Sequence, residues 1–388
     1  MGQSSTDNRG LLTGVRVLDF SRVLAGPFAT ALLADVGADV IKVEPPQGDD
    51  YRHIGPFVDG ESALFMTANR GKRSAVLDLK TSEGVRHALE LAAMADVVVE
   101  NFRPGVADKL GIGYAALSAV NPRLIYLSIS GFGQSGPMRD RPAYDLIVQA
   151  MSGLMSITGD PDGPPTMVGE SFGDLIAGLY GSWAVTSALW RRERTGQGCF
   201  IDLAMFDALF SLLPTNVCRY LATGQVPQRV GNRHALSAPF GVYRTSDGYV
   251  AIAVLNEKLF ERFAVTIGQP ELATDPRFGS DPERAANEPA LRAAIEGWSS
   301  NLSSVEAAAR LSEAGIPVAR IMNVAEAVNS EQASERSLFR RGGPSLPLPE
   351  QPVHFSGYTR GRPVSVPKLG EHTEEILALS AISSKATA

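Results

Sequence analysis

Cysteine is nearly missing from this chain: Cys199 and Cys218 are the only two in 388 residues, and they form no Cys-x-x-Cys pair. That excludes a disulfide scaffold and a thiolate cluster and predicts two small hydrophobes in a reducing compartment. Histidine is sparse as well. His53, His87, His234, His354 and His372 are scattered, with no two spaced three to five apart, so no metal site is expected. Long apolar runs are lacking, none approaching the roughly 20 residues of a membrane span. Residues Met1 to Gly10 are polar and carry no signal pattern, which predicts a cytoplasmic protein. Positive charge is not in excess either. Acidic residues outnumber basic ones, 42 to 36, for a net charge of -6. Nucleic acid and anionic membrane are therefore not expected as main partners, although a local basic pocket is compatible with that balance.

What is present is an alternation of strand-like and helix-like segments. Val15–Phe20, Asp39–Glu44, Ser74–Leu79, Asp96–Asn101 and Leu124–Ile129 are short runs rich in β-branched residues. Phe28 to Val36 and Thr81 to Ala95 repeat apolar residues at helical spacing, and Thr81 is placed to cap the second helix. Buried strands separated by helices predict an α/β fold with a mostly parallel sheet covered on both faces. Ligands of such sheets bind beyond the carboxyl ends of the strands. Beyond residue 222 the texture changes. Gly241–Thr245 and Tyr249–Val254 around Ser-Asp-Gly predict a β-hairpin, Leu291–Leu302 and Ser304–Glu313 predict helices, and Ile316–Arg320 reads as a strand start. The expected organisation is a large α/β domain over 1–222, a small α+β domain over 223–320, and a return segment over 321–388. The stretch from Gly342 to Pro367, rich in Pro and Gly, reads as extended. No internal repeat or low-complexity tract stands out.

Two short motifs invite a function. Gly131-Phe-Gly-Gln-Ser-Gly136 fits the dinucleotide pattern G-x-G-x-x-G. Its glycines should open a helix whose amides hold a pyrophosphate, but Pro137 and Pro142 follow at once, so no NAD site is expected. The plainer reading is a glycine-rich loop or turn. Gly169-Glu-Ser-Phe-Gly173 fits G-x-S-x-G, which would make Ser171 a hydrolase nucleophile, with His234, His354 or His372 downstream. The strand before it would be Thr166–Val168, which is short for that role. One residue further on, Asp174 precedes the apolar run Leu175-Ile-Ala-Gly-Leu-Tyr-Gly-Ser-Trp-Ala-Val185, so it lies near a helix N-terminus. A simple helix cap explains an aspartate there equally well.

Several stretches together say more. Val17-Leu-Asp-Phe-Ser-Arg-Val-Leu-Ala-Gly-Pro27, Gly37-Ala-Asp-Val-Ile-Lys-Val-Glu-Pro45, Asn69-Arg-Gly-Lys-Arg-Ser74 and Asp96-Val-Val-Val-Glu-Asn-Phe-Arg-Pro-Gly105 follow one another in order. Leu77–Lys80, Arg141-Pro-Ala-Tyr-Asp145, Gly163-Pro-Pro-Thr166 and Leu369-Gly-Glu-His-Thr373 continue the series. Over nearly its whole length the chain thereby resembles the family III CoA-transferases, the group of formyl-CoA transferase and carnitine CoA-transferase. The resemblance implies transfer of CoA from an acyl-CoA, a dicarboxylyl-CoA such as succinyl-CoA being the first expectation, to a free carboxylic acid. It implies Asp174 as the nucleophile, through aspartyl anhydride and aspartyl-CoA thioester intermediates. It implies CoA contacts at Leu24 and Ala25, at Leu77, Asp78, Leu79 and Lys80, at Asn101, Phe102 and Arg103, at Lys109, and over Pro142 to Asp145, including Tyr144. CoA is then a co-substrate, with neither metal nor NAD. It also implies a Rossmann-like large domain, a ring-like subunit and an interlocked homodimer.

CoA carries three phosphoryl groups and needs cations. Arg22, Lys42, Arg70 and Lys72 stand in loops or at predicted strand ends and are candidates, although a solvated surface charge is the plainer reading of each one alone. Other functions stay open on this reading. The α-methylacyl-CoA racemases share the resemblance but use a histidine in the stretch where this chain has Tyr144, and tyrosine, with a pKa of roughly 10, is a poor base near neutral pH. A non-catalytic acyl-CoA-binding protein is a further alternative. Around Asn232–Pro239 the glycine-rich loop of some formyl-CoA transferases is not evident, which argues against formate and oxalate as the substrate pair. Arg233 is a candidate for holding a second carboxylate.

Overall fold

A computed structural model of the chain describes residues 10–340, 346–356, 358 and 365–386. Six short strands form its main sheet: β1 (Arg16–Asp19), β2 (Asp39–Glu44), β3 (Arg73–Val76), β4 (Val97–Glu100), β5 (Ile125–Ser130) and β6 (Cys199–Ala204). Every pairing is parallel, and the strand order is β3-β2-β1-β4-β5-β6. This is the doubly wound arrangement, in which the order of strands reverses between β1 and β4. The triplet Val97-Val98-Val99 shows why these runs are strands. Val97 and Val99 enter one core with Val17, Ile125 and Leu127, while Val98 enters the opposite core with Leu18, Ile41 and Tyr126. A period of two serves both faces at once, so a continuous apolar run is the pattern that both faces select.

Helices cover the two faces. Helix α1 (Ala25–Asp35) follows β1, and α2 (Ser82–Ala93) follows β3. The hydroxyl of Thr81 accepts the Gly84 amide at 3.0 Å, the cap that sequence predicts for α2. Helix α3 (Asp145–Met151) leads towards α4 (Phe172–Thr195), a helix of 24 residues that ends on Gly196 in the left-handed region, φ 71. Helices α1 and α4 share the core that contains Val97. They approach closely because α4 carries glycine at 178. A Cβ there would lie 2.9 Å from the Ala25 carbonyl oxygen, and backbone cannot move aside cheaply.

A second compact unit comprises residues 155–166 and 224–331. It contains an antiparallel sheet of β7 (Phe240–Arg244), β8 (Tyr249–Ala253) and β9 (Val318–Arg320) in the order β9-β8-β7. Helices α5 (Glu257–Thr266), α6 (Glu288–Ser299) and α7 (Ser304–Glu313) belong to the same unit. Its core gathers Val250, Ile252, Phe260, Phe263, Leu291 and Leu311. The predicted hairpin is β7–β8. Helix α7 begins on a capping box between Ser303 and Glu306.

Two expectations need adjustment. Strand β6 is not among the strands that sequence predicts, because as an edge strand it alternates partly buried and exposed residues and breaks the apolar run with Asp202. Part of the extended stretch from Gly342 to Pro367 lies outside the described residues. Within the described part, Leu348–Pro349 pairs antiparallel with Phe339–Arg340.

Candidate active site

The crevice where the strand order reverses is lined by the segments after β1 and β4. A cleft of about 170 Å³ opens there, walled by Arg22, Ala25, Asn101, Phe102, Arg103 and Tyr144 and containing Asp174. Ser130 and Gly131, at the end of β5, also line it. The glycine-rich motif therefore contributes a turn to the cleft wall. No helix opens on it, since the next described helix begins at Asp145.

Asp174 is the third residue of α4. Ala25, the first residue of α1, lines the same cleft, and its backbone amide acts on the Asp174 carboxylate, so two helix N-termini approach one carboxylate. Burial pushes this carboxyl up to about 7, the negative charge of Asp145 adds to the rise, and the Ala25 amide opposes it. Asp145 in turn accepts the Gly173 amide at 2.7 Å, and Gln149 donates to its other oxygen at 2.7 Å. Asp145 thus caps α4 from another helix, and the Ser171 side chain makes no capping bond. Glycine is required at 173 because a Cβ would stand 2.7 Å from Val148 Cγ2 and 3.0 Å from Asp145 Oδ1. Gln149, fully buried, also accepts the Val168 amide and fixes the segment that leads into α4.

The G-x-S-x-G reading finds no support in this geometry. No strand runs into Ser171, and its φ of -71 carries none of the strain of a nucleophile elbow. Tyr144, where a racemase would place histidine, is 76% exposed at the mouth of the cleft.

A second cleft, of about 120 Å³, shares Arg22 and Phe102 with the first. Leu77, Asp78, Leu79 and Lys80 line it, together with Pro45. The structure thereby brings together most of the residues expected at the CoA site. Leu24 lines neither cleft and instead accepts the Phe28 amide at the start of α1. Lys109 is exposed at the end of the short helix Val106–Lys109 and lines neither cleft.

Three expected cations are corrected by the fold. Lys42, Arg70 and Lys72 are buried and are not presented to a phosphate. Lys42 pairs with Asp49 at 2.6 Å, Arg70 with Asp35 at 2.6 Å and Lys72 with Asp19 at 2.9 Å. A buried ammonium or guanidinium needs its counter-charge at hand, and each of these finds one inside the protein. The cations that do line the first cleft are Arg22, Arg103, Arg139 and Arg141. Sequence reasoning missed Arg139 and Arg141, although their place just beyond the glycine-rich turn was a usable signal. Among the described residues, Arg22, Arg103 and Arg141 have no carboxylate within ion-pair distance, whereas Arg139 lies 3.6 Å from Asp140.

Two further acids or phenols near the clefts were also missed. Burial pushes the Tyr51 hydroxyl up to about 12, and the charges of Asp174, Asp49 and Glu170 add to it. Glu100, at the end of β4, is pushed by burial up to about 7, against hydrogen bonds from Ser128 and the Phe102 amide. Nothing local in either stretch marks them, since the burial that dominates both shifts comes from distant segments. Among the described residues no three His, Cys, Asp or Glu side chains gather as a metal site would require, and no helix is long and apolar enough to cross a membrane.

Comparison with known proteins adds a line of support independent of this geometry. A family model described as CoA-transferase family III matches residues 12–373. The acetyl-CoA:oxalate CoA-transferase of Acetobacter aceti is 47% identical over 367 residues, covering 94% of each chain. The succinate–glutarate CoA-transferase of Agrobacterium fabrum is 40% identical, covering 95% of each. The crystal structure of a CAIB/BAIF family protein from Brucella suis superposes with a TM-score of 0.86 at 40% identity, over 96% of this chain and 100% of that one.

Proposed function

The chain belongs to CoA-transferase family III and is an enzyme of that kind, and from this premise we propose that Asp174 carries the acyl and CoA groups between donor and acceptor. The observation that supports the assignment is the setting of its carboxylate, half-buried at a helix N-terminus, beside Ala25, in a cleft lined with arginines. The carboxylate attacks the thioester carbonyl, forming a mixed anhydride and releasing CoA thiolate. The thiolate attacks the aspartyl carbonyl, forming an aspartyl-CoA thioester and freeing the donor acid. The acceptor carboxylate attacks that thioester and again releases thiolate, which finally takes the acceptor's acyl group and restores Asp174. Each step makes one acyl bond and breaks one, with no net proton and no water. Splitting the exchange this way keeps every intermediate activated. Its anhydrides must be kept from hydrolysis, which a half-buried nucleophile covered by bound substrate favours. The Ala25 amide is placed to stabilise the oxyanions, and amides of Gly131, Gly133, Gly136 and Gly173 are further candidates.

In this reading the CoA nucleotide occupies the cleft of Leu77 to Lys80, and its thiol reaches Asp174 past Arg22 and Phe102. The proposed substrates are small dicarboxylates and their CoA esters, with succinyl-CoA as donor. Oxalate and glutarate appear in the relatives' names, and both are dicarboxylates. The loop difference around Asn232–Pro239 therefore does not set oxalate aside as an acceptor. Acid quenching after mixing with succinyl-CoA, followed by peptide mapping, should place an acyl or CoA adduct on the Asp174 peptide and none in Asp174→Asn. Solvent deuterium at the α-carbon of a branched acyl-CoA would instead mean a racemase, and free acid dependent on Ser171 a hydrolase.

We also propose that the subunit is ring-like and forms an interlocked homodimer in the cytoplasm. Helix α4 leaves Leu179, Trp183 and Trp190 exposed, the tryptophans by 66% and 63%, and Tyr220 and Leu221 are bare as well. Large apolar side chains exposed in such number on two helices, α4 and Pro214–Thr223, call for a partner surface. Light scattering should give twice the chain mass, and a monomer at micromolar concentration would end this part of the proposal.

A further inference from the structure

The segment between β1 and α1 has no secondary structure from Phe20 to Arg22, yet side chains serve its backbone almost group by group. The Ser21 amide donates to Asp19 Oδ1 at 3.0 Å, and the Ser21 carbonyl accepts Lys42 Nζ at 2.6 Å. Asn101 grips Arg22 from both sides, accepting its amide and donating to its carbonyl, each at 2.8 Å. The Val23 amide donates to Asp49 Oδ1 at 3.1 Å. These bonds hold Val23 at φ 65, a left-handed conformation that a β-branched residue adopts only when its surroundings impose it. Two residues later comes Ala25, and Val23, Ala25 and Asp174 line one cleft.

Asp49 is the hub of this clamp. Besides Val23 it accepts the Tyr51 amide at 2.9 Å, and its other oxygen takes Lys42 Nζ at 2.6 Å. Both members of the pair are buried, and burial, the largest single effect, works against both charges; Asp49 is nevertheless held below its usual range by Lys42 and the Tyr51 and Val23 amides, and Lys42 above its own by Asp49, Asp19 and Glu44 together. Neither side chain lines the cleft with Asp174. Well-packed apolar residues of similar volume can replace the charges of such an ion pair with little loss of stability, so what this pair does for the fold lies in the backbone groups it serves, the Ser21 carbonyl and the Val23 and Tyr51 amides.

We infer that the buried Lys42–Asp49 pair is a positioning device for the transfer reaction: it fixes the strained turn at Val23 so that the Ala25 amide stands on the acyl-bearing carboxylate of Asp174. The inference rests on the reading of Asp174 as the nucleophile. Lys42 and Asp49 touch neither substrate nor reacting atoms and act only through the turn. A donor fixed in advance costs nothing to orient as the oxyanion forms, whereas a loose one must be ordered in every turnover. The charge that acts on Asp174 is that of Asp145; Tyr51 feels both Asp174 and Glu170, and Arg22, Arg103, Arg139 and Arg141 lie along the cleft.

Two variants test this, Asp49→Asn and the double variant Lys42→Met/Asp49→Leu, each assayed with succinyl-CoA across pH and by thermal unfolding. The double variant leaves no unpaired charge, so it should still unfold cooperatively, at a temperature lowered by the partners lost to the Ser21 carbonyl and the Val23 and Tyr51 amides but above that of Asp49→Asn. Its kcat should nevertheless fall about tenfold to a hundredfold, as for weakening of an oxyanion donor, with KM for the acyl-CoA little changed. The acid limb of kcat/KM should move to higher pH, because displacing the Ala25 amide weakens an interaction that favours the ionised carboxylate. A merely structural pair predicts otherwise: activity returns with stability in the double variant, and the acid limb stays in place. That result would overturn the inference. If the double variant does not fold, the acid limb of Asp49→Asn decides in the same way. The adduct experiment on the wild type keeps the two levels apart, since an adduct on Asp174 with an unmoved limb rejects the positioning role alone, whereas no adduct rejects the nucleophile assignment and this inference with it.

Discussion

Asp174→Asn should lower kcat for CoA transfer by about 10³-fold or more, since loss of a covalent nucleophile removes the pathway and not just one contact. The same change should raise the melting temperature at pH 8. In the wild type, burial and the neighbouring charge of Asp145 hold the Asp174 carboxyl near 7, above its unfolded value, which lies at the ordinary 3.8. Between those two values the folded state binds more protons than the unfolded state, so this group's contribution to stability falls as pH rises through the window. Above about 7 the fold carries an ionised carboxylate in a place that disfavours it, and asparagine relieves that cost. At pH 4, where the wild-type group is protonated in the fold, the two melting temperatures should converge. Thermal unfolding at pH 4 and pH 8 beside a transfer assay measures both parts. A variant that retained full transfer activity would refute the mechanism, and one destabilised equally at both pH values would refute the electrostatic account.

Asp145→Asn should separate two roles of one side chain. As a cap it accepts the Gly173 amide through Oδ1, and the asparagine carbonyl can keep that bond. As a charge it raises Asp174, and the asparagine cannot. The acid limb of kcat/KM, expected near 7 in the wild type, should therefore move to lower pH. It should stop short of the ordinary carboxylate range, because burial is the larger cause and remains. At high pH the variant should turn over somewhat more slowly, since a less basic carboxylate is a weaker nucleophile. A pH–rate profile of the two proteins decides the matter, and an acid limb that does not move would mean that Asp145 serves only as a cap.

Much of this protein was determined by short-range signals in its sequence. The Val97–Val99 triplet and the run Asp39–Glu44 specify buried strands because both faces of the sheet are covered, and Thr81 specifies a helix start because its hydroxyl reaches an amide three residues on. Ser-Asp-Gly between two alternating runs specifies the hairpin of β7 and β8. Asp174 was placed at a helix N-terminus by the apolar run that follows it, but its assignment as nucleophile came from resemblance, since a plain cap looks the same locally. Strand β6 escaped because an edge strand need not be apolar throughout.

The tertiary structure alone decided which charges face a ligand. Lys42 and Lys72 sit in stretches that read as a phosphate-binding rim, and the fold turns them inward to Asp49 and Asp19. Lys72 and its partner are 53 positions apart in the chain, and a charge has no local signature that says which counter-charge it will meet. The same holds for the raised carboxyl of Asp174, which depends on Asp145 across 29 positions, and for the Ala25 amide delivered by another helix. Periodicity and capping act between residues a few positions apart, so a sequence displays them directly. Coulomb energy and desolvation act through space between segments that only the packed sheet and its helices bring together, and at this site they set the chemistry.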